Sequence, residues 1–72
     1  MIYKLYKPFP SDVVNAATTI NSIPSISFLF DPNNEDYQNF KKQINADEAQ
    51  LEDADGNLMT AEQAKEFVAT LP

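Results

Sequence analysis

The dipeptide Asp31-Pro32 divides this chain into two stretches with different periods. Before it, apolar residues alternate as they do in strands; after it, they recur mainly at helical spacing. Proline lacks the N–H that a sheet ladder needs and biases the preceding residue away from helix, so neither kind of element runs through that point. The chain has 72 residues and no Cys. It is read as one small domain, 1–72, with nothing covalent to staple it. In chains this short, apolar burial roughly cancels ordering entropy. Such a domain either packs very well or borrows surface from a partner, and the second is the expectation here.

Three strands are expected before the break. Ile2–Tyr6 alternates, with Tyr3 and Leu5 on one face and Ile2, Lys4 and Tyr6 on the other. Pro8 and Pro10 end it. Asp12–Ile20 is rich in Val, Thr and Ile and reads as a second strand, although its Ala pair leaves a helical reading open. Asn21-Ser22-Ile23-Pro24 supplies turn chemistry. Ser25–Phe30 is the strongest strand, with Ile26, Phe28 and Phe30 on one face and Ser25, Ser27 and Leu29 on the other. It carries no charge, and an exposed edge of that kind invites association. It is therefore expected between the first two strands, or else under a partner chain.

After the break, Asn33 or Asn34 can cap a helix over about 34–46. Glu35 and Asp36 in its first turn suit the helix dipole, as do Lys41 and Lys42 further on. Tyr37, Phe40 and Ile44 form its apolar stripe, and with Phe28 and Phe30 they make the expected core. Asp53-Ala54-Asp55-Gly56-Asn57, flanked by Leu51 and Leu58-Met59, predicts a tight hairpin with short arms and positive φ at Gly56. Thr60 then caps a second helix, with Gln63 completing a capping box and Ala61, Ala64, Phe67, Val68 and Leu71 facing inward. The fold class is α+β: a three-stranded antiparallel sheet packed by one helix, followed by a short hairpin and a second helix.

The residue inventory excludes most chemistry. The chain has 11 acidic side chains against 5 basic ones, a formal net charge of -6, and no His, Trp or Arg. Thiol nucleophiles and thiolate or imidazole metal ligands are therefore missing. Ser11, Ser22, Ser25 and Ser27 have no His to activate them, and no catalytic or cofactor-binding residue is expected. Five scattered lysines cannot track a phosphate backbone, which argues against direct binding of nucleic acid. No run approaches the roughly 20 apolar residues of a membrane span. The N-terminus meets Pro8 before a signal-peptide core can form, and the lack of Cys fits synthesis inside a cell. A hydrophobic content of 43% is too high for a disordered acidic tail.

Leu51–Glu62 resembles a calcium-binding loop, with Gly56 at the glycine position, Asp53 and Asp55 as ligands and Glu62 as the bidentate residue. Leu51 stands where the first ligand should be, so an Asp-Gly turn before a capped helix is the preferred reading and no metal is expected. Asp47, Glu48, Glu52, Asp53 and Asp55 read as a solvated acidic patch, with a nucleic-acid mimic as a minor alternative. The candidate interaction residues are Tyr3, Tyr6 and Leu29, with Asp53 and Asp55 for the acidic alternative.

Phe30-Asp31-Pro32-x-Asn34-x-Asp36-Tyr37-x-x-Phe40, preceded by Tyr3-Lys4-Leu5, resembles a segment of small proteins of tailed bacteriophages. Phe28-Leu29 stands where that family tends to have Ile-Pro. The closing stretch, Leu51–Thr60 through Leu71-Pro72, is similar to versions in phages of marine cyanobacteria. The resemblance implies a non-catalytic accessory protein, made in the host cytoplasm and carried in the virion on a larger capsid or tail protein or on copies of itself. The alternative is an acidic effector that binds and inhibits a host protein.

Overall fold

The computed structural model describes residues 1–8 and 12–72. The expectations for Pro10 and Ser11 lie outside the described residues. In chain order the elements are β1 (Ile2–Tyr6), β2 (Ala16–Thr19), β3 (Ser27–Leu29), α1 (Glu35–Asn45), β4 (Gln50–Glu52) and α2 (Ala61–Ala69). They build an α+β fold with one mixed sheet in the order β3-β2-β1-β4 and two helices.

The three expected strands form an antiparallel meander, and a fourth, parallel strand extends it. The placement of Ser25–Phe30 in the middle is overturned. β2 is central and β3 is an edge. β1 pairs directly with β2 from Tyr3 opposite Thr19 to Tyr6 opposite Ala16, which leaves no place between them, so β3 pairs with the other side of β2. β2 is also the strand suited to the centre, because Ala16 and Ala17 point to opposite faces and neither has exposed surface. The hairpin turn is fixed by Thr19. Its buried hydroxyl oxygen accepts from the Ile26 amide at 2.8 Å and from the Ser22 hydroxyl at 2.9 Å.

β4 was expected only as a hairpin arm. The hairpin is present: Glu52 bridges Leu58, the Asp53 amide donates to the Asn57 carbonyl, and the Met59 amide donates to that of Leu51. Its first arm also joins the sheet, pairing Tyr3 with Leu51 in parallel.

Strand alternation puts Tyr3, Leu5, Ala17, Phe28 and Leu51 on one face, and both helices cover it. Phe40 is the hub. Its ring meets Tyr3 edge-on at 5.0 Å, Phe28 at 5.5 Å and Phe30 in a stack at 6.0 Å. Tyr37, Phe40, Ile44 and Leu51 are the largest fully buried side chains. The expected core of Tyr37, Phe40, Phe28 and Phe30 therefore holds, with Phe30 only half-buried.

Asn34 caps α1, its side chain accepting from the Tyr37 amide. The helix ends in a Schellman motif, with the Glu48 amide donating to the Gln43 carbonyl and the Asp47 amide to that of Ile44. Asp47 occupies the left-handed position there, φ 59°, where glycine is usual. Thr60 and Gln63 form the reciprocal cap of α2.

Candidate interaction surface

The sheet has a second face, and among the described residues no helix covers it. It presents Ile2, Lys4 and Tyr6 from β1, Ala16 and Thr18 from β2, Ser27 and Leu29 from β3, and Gln50 and Glu52 from β4. The pairing aligns Tyr6, Ala16 and Leu29 in one row across three strands. Leu29 is 54% exposed, Tyr6 is half-buried, and Ala16 between them is fully buried. The structure thus brings together two of the residues singled out for adhesion. Ala16 lies between them in the register but has no exposed surface of its own; nothing in the sequence gives the register that aligns the three.

Tyr3 does not join them. It is 4% exposed on the helix-covered face, and its hydroxyl donates to Gln43 Oε1 at 2.7 Å. Burial pushes its phenol above the ordinary value, and the nearby Asp36 carboxylate adds to the shift. Tyr37 is raised by burial too, and its hydroxyl donates to the Pro72 carbonyl. Alternation placed Tyr3 and Leu5 together correctly. The error was to read Tyr3 as free surface, when an internal glutamine satisfies its hydroxyl and makes burial tolerable.

The acidic residues do not form one site. Asp47 pairs with Lys65 Nζ at 2.9 Å across the helix ends. Asp53 turns into its own loop: its Oδ1 accepts from the Asp55 and Asn57 amides, both at 2.9 Å. The Asn57 amide is the main reason its carboxyl lies below the ordinary aspartate value. Lys4 Nζ reaches across from β1 to the Ala54 carbonyl at 2.9 Å, tying the turn to the open face. Asp55 remains exposed at the turn. Gly56 takes φ 89°, as an Asp-Gly turn requires. With Asp53 Oδ1 accepting from two backbone amides, the loop is organised as an Asx-type turn. Among the described residues no group of three or more His, Cys, Asp or Glu side chains is arranged to hold a metal.

A pocket of about 200 Å³ lies between the end of α1, β4 and the start of α2, lined in part by Ile44, Leu51, Met59 and Ala64. It is smaller than the roughly 300–1,000 Å³ of small-molecule sites. Its lining mixes these apolar side chains with Asp47, Gln50 and Thr60, and Asp47 is the one ionisable group among them. No helix of the described residues is long and apolar enough to cross a membrane. Comparison with protein-family models, curated proteins and solved structures finds no match to this chain.

Proposed function

We propose that this chain is a non-catalytic accessory protein that works by adhesion, and that it is a small virion component of a tailed bacteriophage, docked on a larger capsid or tail protein. The adhesion reading rests on the open sheet face with its Tyr6-Ala16-Leu29 row. A sheet face over which the described residues place no helix, with an exposed leucine in register with a tyrosine, suits a partner's apolar surface. The phage reading rests on the Phe30-Asp31-Pro32 to Phe40 segment. Its residues here form the strand-to-helix corner: Asn34 caps α1, and Tyr37 and Phe40 pack the helix onto the sheet.

Mass spectrometry of purified particles tests this. The expected result is the chain at a fixed copy number per particle, reduced by Leu29→Lys. Particles that lack the chain refute the virion assignment. The competing reading, an acidic effector that inhibits a basic host protein, draws on the net charge of -6. It predicts capture of one such protein from host lysate and loss of capture on charge reversal at Asp53 and Asp55.

A further inference from the structure

The edge of β3 has an unusual set of open backbone groups. The Ile26 carbonyl accepts from the Thr19 amide, and the Phe30 amide donates to the Asn15 carbonyl. With Ala17 opposite Phe28, the even-numbered residues of this strand point their backbone groups at β2. Ser27 and Leu29 therefore point theirs outward. The Leu29 carbonyl already accepts from the Asp31 amide at 2.8 Å. Among the described residues, what stays open is the N–H and C=O of Ser27 and the N–H of Leu29, with the Ser25 carbonyl beside them.

We propose that this edge pairs with the same edge of a second copy, antiparallel about a two-fold axis at Ser27, giving a dimer with one continuous sheet. In that register each Ser27 amide meets the other Ser27 carbonyl, and each Leu29 amide meets the other Ser25 carbonyl. The four bonds use only open groups and leave the Leu29–Asp31 bond intact. The flanking positions then set Ile26, which is 40% exposed, opposite Phe28 of the partner.

Three observations select a second copy over another occupant. First, no residue from Val13 to Phe30 carries a charge, although the chain has a net charge of -6. The paired strands themselves therefore bring no charge to the seam; the carboxylate beside them is Asp36 of α1, which lines a pocket with Ile26 and Phe28. The proposed register also runs Asp31 past Ile23 of the other copy, so like carboxylates do not meet. Second, Val13, Ile20, Ile23, Ile26 and Leu29 are five of the seven exposed large hydrophobic residues among those described. All five fall within the uncharged stretch 13–30. Third, the opposite edge is occupied: β4 is bridged by Leu58, and the Met59 amide donates to the Leu51 carbonyl. Pairing through a single open edge closes at two subunits and cannot propagate.

The two-fold axis stands perpendicular to the sheet, so both helix layers lie on the same side. The two Tyr6-Ala16-Leu29 rows then share one open face. The dimer does not depend on the virion assignment, and a particle that lacks the chain would leave it untouched.

Sedimentation velocity of the purified chain, up to roughly 1 mM, is the test. Wild type should reach twice the chain mass, with Ser27 and Leu29 amides gaining hydrogen-exchange protection as concentration rises. Ser27→Pro removes an N–H that makes no bond to β2 and should weaken dimerisation at least about tenfold with an unchanged far-UV spectrum. If that variant does not fold, Ser27→Lys places two ammonium groups opposite each other on the axis and should weaken it similarly. A wild-type chain that is monomeric at the highest concentration, a dimer untouched by a folded variant, or growth beyond two subunits overturns the proposal.

Discussion

The two edges of this sheet are built from opposite chemistry. The β4 edge lies in an acidic, polar stretch, and the chain folds its own next residues, Asn57–Met59, back over it. The β3 edge is uncharged and keeps its outward amides open. Natural sheets shield an edge with charge, brevity or a covering segment. Here the covering segment and the charge fall on the same edge, while the other has only brevity, being three residues long. The protected edge owes its state to the sequence immediately after it. The open one is followed by Asp31-Pro32, which turns the chain away into α1 instead of back along the strand.

The two edges also rest on different parts of the core, so they should fail separately. Phe28 and Phe30 pack on the Phe40 ring, whereas β4 is anchored by Leu51. Phe40→Ala should cost about 3–5 kcal/mol, the largest effect expected from a single side chain here. A chain this size has only roughly 0.05–0.15 kcal/mol of stability per residue, so the variant should be largely unfolded by circular dichroism. Leu51→Ala should cost about 2–5 kcal/mol and, in hydrogen exchange, release the Met59 amide before those of β3. Equal loosening of both edges in both variants would break the distinction.

A smaller effect, confined to the β3 side, is expected from Thr19→Val. The shape is kept, but the Ile26 amide and Ser22 hydroxyl lose their acceptor. Urea melts should show a loss of about 1–3 kcal/mol. On the β4 side the matching device is pH-dependent. The Asp53 pKa is lowered in the folded chain, so its contribution is fully present above the unfolded value near 3.8 and is lost as pH falls through the lower folded value. The Asp55 and Asn57 amide shifts should titrate with a midpoint below 3.8, and Asp53→Ala should abolish that titration. The smallest change is expected from Lys65→Met, which removes an exposed pair with Asp47 and should shift stability by under about 1 kcal/mol in the same melts.

Local chemistry was legible in the sequence wherever neighbours in the chain decide the structure. Asn34 at the start of α1, the Thr60–Gln63 box, the Gly56 turn and the Tyr37-Phe40-Ile44 stripe all follow from residues a few positions apart. Long-range pairing was not legible. β4 offers one buried residue, Leu51, inside a polar run, and its pairing with β1 depends on a segment at the far end of the sequence. The lack of charge in Ser25–Phe30 suggested either a central place or a covering partner chain, but an uncharged strand can stand at an edge, and the pairing of β1 with β2 puts it there. Tyr3 was misjudged for a related reason, since its partner Gln43 lies 40 positions away. The candidate surface was half legible: alternation set Tyr6 on the outer face, while the row it shares with Leu29 exists only through the register of β2.

The seam between β1 and β4 also orders events in time. Ile2 leaves the ribosome 48 residues ahead of its parallel partner, Gln50. Until that stretch is synthesised, the nascent sheet has two exposed margins instead of one, and the contacts that close it span most of the polypeptide. Completion of the sheet therefore waits for β4, and the growing chain is most adhesive before that strand is in place.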